Sequence, residues 1–271
     1  ALVGKLNKSS RNRIGAADGK LQAWNGNSIS KAYKLHDGSL DAIWVDANSK
    51  ALSVYLISSI VTGGADCVIN VLDKTNYSQI LKISFDQIAK NSLCPKIRSV
   101  CYSNDSKRTL LVGTYGSEIY ELSSKYNSYK LFNTLRDSKV TSGTKYTARE
   151  LVKGHYTPNQ KWTNEVWGLC VFKQDNDKWA TCSDDGTLRI WSVSKRCQLK
   201  SFRLDTGIKK NTLNNSLDAN GEPLPPDPKT GDLDDSAKGR CVDISPDDKY
   251  MAVGCKDGTL RVFFNLTTLN L

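Results

Sequence analysis

The chain has 271 residues, of which 39% are apolar and 24% are charged. This composition is typical of globular proteins and excludes an intrinsically disordered chain, and no apolar run approaches the ~18 residues of a membrane-spanning helix. The formal net charge is +10. Residues 1–160 hold 22 basic and 12 acidic side chains, whereas residues 161–271 hold 16 of each. The whole excess therefore lies in the first part and favours an acidic partner.

Five stretches share one pattern, in which a β-rich run, a small or hydroxyl residue, a tight turn and a second β-rich run follow one another. These stretches are 14–24, 61–72, 111–122, 180–191 and 252–263. Equivalent positions are 15, 63, 113, 182 and 254, so the copies are 48, 50, 69 and 72 residues apart. The first two spacings suit a four-stranded unit of roughly 40–45 residues with a loop, and the longer two indicate inserts.

The composition locates both inserts. Residues 123–145 are rich in Ser, Thr, Asn and Lys, and residues 206–238 hold four of the seven prolines and an acidic cluster. Neither segment contains enough apolar surface to offset the entropy of ordering, so both are expected to be flexible loops. Helical periodicity is nearly absent, and a single turn is predicted between Phe85 and Leu93.

A strand that is apolar on both faces precedes each of the last four copies. These strands are Ser39–Val45, Ile97–Tyr102, Glu165–Phe172 and Arg240–Ser245. The innermost strand of a propeller blade has this character, and radial repetition leaves only short, protected sheet edges. The sequence therefore predicts an all-β propeller of four-stranded antiparallel blades.

One propeller region is expected over residues 1–271, with approximate blades at 1–36 (partial), 37–85, 96–153, 154–204 and 238–271 (partial). Between Leu6 and Ile14 there is no room for the expected innermost strand of the first blade and its turn. After Phe264 too few residues follow to finish the fifth blade. Four blades and a fragment predict an incomplete propeller.

The segment Asp184-Asp-Gly-Thr-Leu-Arg-Ile-Trp191, with Gly154-His155 upstream, resembles a WD40 repeat. The resemblance implies a hydrogen-bonded chain of His, Ser or Thr, Asp and Trp within each blade. The residues in these roles are His155, Thr181, Asp185 and Trp191 in one blade, and His36, Thr62 and Asp66 in an earlier one, where Leu72 replaces the Trp. The third copy has Gly116 in place of the Asp, and the fifth has Phe263 in place of the Trp.

A longer succession of motifs is similar to the WD40 region of the echinoderm microtubule-associated protein-like (EMAP-like) family. The motifs are His36-Asp-Gly-Ser, Val61-Thr-Gly-Gly-Ala-Asp, Ile97-Arg-Ser-Val, Leu111-Val-Gly-Thr, Val152-Lys-Gly-His and Glu165-Val-Trp-Gly-Leu. They cover most of residues 33–203, and the last is the most specific. This resemblance implies a non-catalytic scaffold that binds microtubules or tubulin, located in the cytoplasm on the cytoskeleton.

The residue patterns favour neither an enzyme nor a metal or cofactor site. Gly63-Gly64 lacks the Lys-Ser/Thr of a phosphate-binding loop, and both histidines occupy structural positions of the repeat. Paired aspartates such as Asp184-Asp185 suit tight turns. The eight cysteines form no CxxC pair and lie mostly in β-rich runs, which predicts free, buried thiols rather than disulfides or a zinc site.

Partner contacts are predicted from the resemblance, because propellers of this kind bind mostly at the narrow face around the channel. The positions that carry over are Arg98, Tyr115, Trp167, Asp184, Arg240 and Lys256. We expect basic side chains of residues 1–160 to contact tubulin or another acidic protein surface. The alternative is a nucleic-acid or ribonucleoprotein-associated scaffold, for which Lys125-Tyr-Asn-Ser-Tyr-Lys130 interleaves basic and aromatic residues. A generic protein scaffold that binds neither is the third interpretation.

Overall fold

The computed structural model describes residues 2–3, 11–45, 59–102, 109–124, 146–155, 164–204 and 238–264. Within these ranges the chain forms five antiparallel sheets, and its only helix is the single turn α1 (Phe85–Ile88). The part of the chain that the structure describes contains no helix long and apolar enough to cross a membrane.

Each sheet is one blade, and its strands pair in chain order. Blade 1 contains β1 (Leu2–Val3), β2 (Arg11–Gly15), β3 (Lys20–Asn25) and β4 (Ser28–Lys34). Blade 2 contains β5 (Leu40–Val45), β6 (Ser59–Gly64), β7 (Val68–Asp73) and β8 (Gln79–Ser84). Blade 3 contains β9 (Ile97–Tyr102), β10 (Leu110–Thr114), β11 (Ile119–Ser124) and β12 (Tyr146–Val152).

Blades 4 and 5 follow the same plan. Blade 4 contains β13 (Gly168–Val171), β14 (Lys178–Cys182), β15 (Thr187–Ser192) and β16 (Cys197–Arg203). Blade 5 has three strands among the described residues, β17 (Gly239–Ile244), β18 (Tyr250–Cys255) and β19 (Leu260–Phe264).

The hydrophobic core lies between neighbouring blades rather than within one of them. Successive side chains of a strand point to opposite faces, so a blade with neighbours on both sides packs one face on the blade before it and the other on the blade after it. Leu188 and Ile190 of blade 4, for example, pack with Met251 and Val253 of blade 5. Trp179 and Trp191, on the opposite face of blade 4, belong to the core that includes Leu111 and Ile119 of blade 3.

A buried carboxylate connects blade 5 to blade 4, at the end of the blades opposite the start of their innermost strands. Asp248, in the turn between β17 and β18, is only 2% exposed. It accepts main-chain N–H hydrogen bonds from Lys173 and Gln174 at 2.7 Å and from Asp175 at 3.2 Å. Its φ of 58° lies in the left-handed region, which Asp tolerates better than most residues. The turn thus directs the carboxylate at three N–H donors of the preceding blade.

The structure corrects the expectation that blade 1 lacks its innermost strand. Leu2 and Val3 pair with Gly15 and Ile14 of β2. Blade 1 therefore has an innermost strand, which consists of these two paired residues. The first insert also begins later than residue 123, because β11 continues to Ser124. Residues 125–145 and 206–237 of the predicted inserts lie outside the described residues.

All eight cysteines are free, as predicted, but not all of them are buried. Cys101, Cys170, Cys182 and Cys255 are buried, whereas Cys197 and Cys241 are exposed. Cys197 begins the outermost strand of blade 4, and Cys241 lies on the outer face of blade 5. The prediction failed at these two positions because a β-rich run does not show which strand or face a residue occupies.

Candidate functional site

The structure brings His155, Thr181, Asp185 and Trp191 together in blade 4. The Nδ1 atom of His155 lies 2.8 Å from Asp185 Oδ2, and its Nε2 atom lies 2.8 Å from Thr181 Oγ1. The indole N–H of Trp191 donates to the same Thr181 oxygen at 2.8 Å. One proton arrangement satisfies every member, because Thr181 can accept from Trp191 while donating to Nε2, and Nδ1–H donates to Asp185.

Burial and neighbouring groups determine the charge states of His155 and Asp185 in this hydrogen-bonded chain. His155 is fully buried, and burial lowers its pKa despite the neighbouring Asp185 carboxylate. Burial opposes ionisation of Asp185 as well, but hydrogen bonds from His155 and Thr187 and the charge of Arg189 hold the pKa of Asp185 below its usual value. The neutral imidazole lies between the Asp185 carboxylate and the Thr181 hydroxyl and connects parts of the blade that are far apart in the sequence.

Blade 2 contains the same hydrogen-bonded chain without its Trp. The Nδ1 atom of His36 lies 2.9 Å from Asp66 Oδ1, and its Nε2 atom lies 2.9 Å from Thr62 Oγ1. The place of the Trp is taken by the fully buried Leu72, which has no donor for the threonine. A buried amide nearby, Asn70 Nδ2, donates to the Leu35 carbonyl at 3.0 Å.

In blade 3 a glutamate fills the gap left by the missing aspartate, which the sequence did not reveal. A Cβ atom added to Gly116 would lie 2.3 Å from Glu118 Oε2, so the Glu118 carboxylate occupies the space that an Asp side chain would enter. It accepts hydrogen bonds from Ser92 Oγ at 2.9 Å and from the Leu93 N–H at 2.5 Å. Asp66 makes the same kind of bond to the preceding loop, through the Asp37 N–H at 3.0 Å.

Five of the six predicted contact residues belong to one group of touching side chains. Together with two acids that sequence reasoning missed, they form the inter-blade cluster. Its members are Asp41, Arg98, Tyr115, Glu165, Trp167, Asp184 and Arg240. Lys256 is the sixth predicted contact and is not part of the cluster; its main-chain N–H donates to the Lys238 carbonyl at 2.8 Å, and the residue is exposed.

Arg98 is the centre of the inter-blade cluster. Its guanidinium lies between two aromatic rings, 3.8 Å from the Tyr115 centroid and 3.6 Å from the Trp167 centroid. The same group forms an ion pair with Glu165 and lies 3.4 Å from Asp41 Oδ2. Only 10% of the Arg98 side chain is exposed, so these attractions are less screened than those of a surface pair.

The remaining contacts extend the cluster to blade 2 on one side of Arg98 and to blade 5 on the other. The Tyr115 hydroxyl donates to Asp41 Oδ2 at 2.6 Å, and burial together with this carboxylate raises the Tyr115 pKa. On the other side, Trp167 Nε1 donates to Asp184 Oδ2 at 2.8 Å. Arg240 lies 4.2 Å from the Trp167 ring and 2.5 Å from Asp184 Oδ1. The chain of contacts therefore runs from blade 2 to blade 5.

The cluster changes how the predicted contacts are understood. They were predicted as contacts with a partner, and the structure pairs five of the six with one another or with the two acids, at the end of the blades where the innermost strands begin. The separation between partners hides this from the sequence, since Arg98 and Glu165 are 67 residues apart. Among the described residues, no group of three or more His, Cys, Asp or Glu side chains could hold a metal ion. The Lys125–Lys130 segment of the nucleic-acid alternative lies outside those residues.

Comparisons with known proteins identify the architecture. Residues 149–192 and 236–263 match the WD40 family model described as WD domain, G-beta repeat. The chain is 26% identical over 205 residues to WD repeat-containing protein 70 of Xenopus laevis, which covers 75% of this chain and 26% of that protein. It therefore spans about a quarter of the length of that relative.

A solved structure is similar over the whole chain. The Cps50 (Swd1) β-propeller domain of Myceliophteria thermophila superposes with a TM-score of 0.60 at 9% identity, covering 100% of this chain and 68% of that domain. At this identity the similarity shows the fold alone. The predicted fold, an all-β WD40 propeller of four-stranded antiparallel blades, is confirmed.

Proposed function

We propose that this chain is a non-catalytic protein-interaction scaffold. The observation that carries the proposal is the inter-blade cluster, which fixes charged and aromatic side chains of four blades in one arrangement. A surface whose side chains are already ordered loses little conformational entropy when a partner binds. The WD40 propeller fold is itself typical of scaffolds, and both histidines serve the blades internally.

The partner that we propose is tubulin, either in microtubules or as free subunits, bound through the basic first part of the chain. Two features support it. The excess of ten positive charges lies within residues 1–160, and the motifs between residues 33 and 203 are similar to the EMAP-like family. Exposed lysines such as Lys31 of blade 1, Lys82 of blade 2 and Lys90, which follows α1, are suited to an acidic surface. Cytoplasmic location on the cytoskeleton follows from the same proposal.

Microtubule co-sedimentation of charge-reversed variants tests this partner. The double variant Lys82→Glu/Lys90→Glu is expected to bind about thirtyfold more weakly than the unchanged chain, with each reversal removing roughly 1 kcal/mol of attraction. Raising the salt concentration should weaken binding of the unchanged chain as well, because exposed charges are screened.

The matched control places the same charge change in the neutral second part. Lys195→Glu/Lys249→Glu alters two exposed lysines of blades 4 and 5 and should leave binding nearly unchanged. Equal loss in both double variants would show a non-specific charge effect. An unchanged supernatant at low and moderate salt would remove tubulin as the direct partner, and retention on RNA under the same conditions would favour the nucleic-acid alternative.

A further inference from the structure

A segment between blades 2 and 3 exposes an apolar side chain beside the inter-blade cluster. This α1–β9 segment comprises residues 85–96, from the start of α1 to the residue before β9. Its Leu93 is 53% exposed. Among the residues that the structure describes, every other large apolar side chain that is exposed belongs to blade 1 or blade 5. Leu93 differs from these because it lies between two blades whose four strands are all described.

Contacts at both ends hold the α1–β9 segment in place. Phe85 and Ala89 are buried in the core shared by blades 2 and 3. The Phe85 N–H donates to the Cys67 carbonyl at 2.8 Å, and the Tyr115 N–H donates to the Lys96 carbonyl at 2.9 Å. The residues between Ala89 and Lys96 therefore begin and end at fixed positions, and the second of these adjoins the inter-blade cluster through Tyr115.

The buried carboxylate of Glu118 fixes the middle of the segment. Glu118 is 0% exposed. Its Oε1 atom accepts a hydrogen bond from the Leu93 N–H at 2.5 Å, and its Oε2 atom accepts one from the Ser92 hydroxyl at 2.9 Å. The main chain at Leu93 is thus ordered before a partner binds, so less conformational entropy is lost when the exposed side chain is covered.

Two lysines flank Leu93, one on each side in the sequence. Lys90 and Lys96 are both exposed, and the Lys96 ammonium lies 5.9 Å from the centroid of the Tyr115 ring. Asp86, the one acidic residue of the segment, lies in the first turn of α1. The segment therefore presents an apolar side chain between two positive charges. A surface of this kind is complementary to an apolar side chain that lies between carboxylates.

Nucleic acid fits this surface less well than a protein segment does. Single-stranded nucleic acid binds largely by stacking its bases on aromatic rings, and Leu93 has no ring. The rings of the adjoining inter-blade cluster already carry arginine side chains. Arg98 lies 3.8 Å from the Tyr115 centroid and 3.6 Å from the Trp167 centroid, and Arg240 lies 4.2 Å from the Trp167 centroid.

We propose that the α1–β9 segment is the docking site of an acidic protein segment that carries an apolar side chain. That side chain covers Leu93, and the carboxylates on either side of it face Lys90 and Lys96. This inference rests on the proposed scaffold function and identifies the contact through which it acts. It applies to any partner of this chemistry, whether tubulin or another protein.

Fluorescence anisotropy of two labelled peptides with the full chain tests the proposal. One peptide is a run of glutamates with a central tryptophan, and the other has serine in place of the tryptophan. At low salt the tryptophan peptide should bind about tenfold more tightly, because its indole covers Leu93. Leu93→Ser should abolish this difference and leave the serine peptide unchanged. Lys90→Gln/Lys96→Gln should weaken both peptides alike, because both contain the same carboxylates.

Ile29→Ser is the matched control for the apolar contact. Ile29 is 48% exposed on β4 of blade 1, so its replacement removes a comparable side chain elsewhere and should leave both affinities unchanged. Circular dichroism and thermal melting establish that the variants are folded. The proposal is overturned by equal affinity of the two peptides for the unchanged chain, by lack of binding of either peptide, or by a Leu93→Ser effect that is the same for both.

Microtubule co-sedimentation of Leu93→Ser separates this contact from the identity of the partner. We expect the variant to bind microtubules more weakly than the unchanged chain. If both sediment equally, tubulin remains the partner and the α1–β9 segment is not where it docks. If the unchanged chain stays in the supernatant but distinguishes the two peptides through Leu93, the docking site stands and tubulin is removed as its occupant.

Discussion

The position of one proton determines whether the hydrogen-bonded chain of blade 4 is intact. His155 must carry hydrogen on Nδ1 to donate to Asp185 and must keep Nε2 free to accept from Thr181. A second proton on the ring would break the bond to Thr181 and place a charge in a fully buried site. The fold therefore depends on the neutral form of this residue.

Stability is predicted to fall in mildly acidic solution because of His155. Its pKa in the folded chain lies below the unfolded value of 6.5, so the unfolded chain takes up a proton first as the pH decreases. The stabilising contribution is complete above pH 6.5 and declines below it. Between about pH 7.5 and about pH 5.5 the free energy of unfolding should fall by about 1 kcal/mol through this group.

Urea unfolding of the unchanged chain and of His155→Gln at both pH values measures this contribution. Other titrating groups affect both proteins alike, so the difference between the two pH dependences reports on His155. If the variant and the unchanged chain lose the same free energy on acidification, the imidazole is not held neutral.

The residues of blade 3 show what sequence spacing can and cannot predict at this scale. The absence of an aspartate at Gly116 was visible in the sequence. The replacement lies two residues later, where Glu118 reaches back over the glycine. Repeat spacing finds a side chain only at its aligned position, so a longer side chain that serves the same place from elsewhere is missed.

Blades 4 and 5 use the same turn sequence but different side chains in their central strands. Both contain Asp-Gly-Thr-Leu-Arg, yet Thr181 and Trp191 of blade 4 correspond to Val253 and Phe263 of blade 5. In these two blades the hydroxyl and the indole N–H are present together or absent together, whereas blade 2 has Thr62 with Leu72. Removing one partner of a buried polar pair leaves the other unsatisfied, which costs free energy.

A double-mutant cycle is predicted to show this dependence. Thr181→Val should lower the free energy of unfolding by about 2–3 kcal/mol, because the Trp191 N–H and His155 Nε2 lose their partner. The double variant Thr181→Val/Trp191→Phe, which has the residues of blade 5, should lose about 1 kcal/mol less than the sum of the single variants.

Trp24→Phe is the control for the cycle. Trp24 lies in β3 of blade 1, far from Thr181, and its Nε1 has no hydrogen-bond partner among the described residues. Its effect should add to that of Thr181→Val within about 0.5 kcal/mol. Additivity in both cycles would mean that the hydrogen bond between Trp191 and Thr181 contributes nothing.

The strands were more predictable than the contacts between them. Alternation of apolar residues and turn signals was enough to predict the antiparallel blades, because these patterns are local. The inter-blade cluster depends on residues such as Asp41 and Tyr115, which are 74 positions apart. No local pattern marks such a pair, and the predicted contact residues were therefore not recognised as partners of one another.

At the scale of the whole molecule, Arg98 connects three blades. It belongs to blade 3, approaches Asp41 of blade 2, and forms an ion pair with Glu165 beside blade 4. Because each blade contacts only its neighbours, the stability of the array depends on the contacts between blades as well as on the blades themselves.

Replacing Arg98 is predicted to destabilise the array as a whole. Arg98→Met should lower the free energy of unfolding by about 3 kcal/mol, since it leaves Asp41 and Glu165 without their cation in a site that is largely shielded from water. Unfolding in urea, followed by tryptophan fluorescence, measures the loss.

The control is Lys20→Met, which removes one partner of the exposed Lys20–Asp18 pair. It should leave the midpoint of unfolding unchanged, because exposed pairs contribute little. A midpoint for Arg98→Met that equals that of Lys20→Met would show that the cluster does not hold the blades together.

The carboxylate of Asp248 gives the last blade a second attachment, at the opposite end of β17 from the Arg240–Asp184 ion pair. Both attachments fix β17, so neither end of this strand can leave blade 4 until the contact at that end breaks. Separation of blade 5 from blade 4 therefore requires the ion pair and the three N–H bonds to Asp248 to break, in addition to exposure of the apolar core between the two blades.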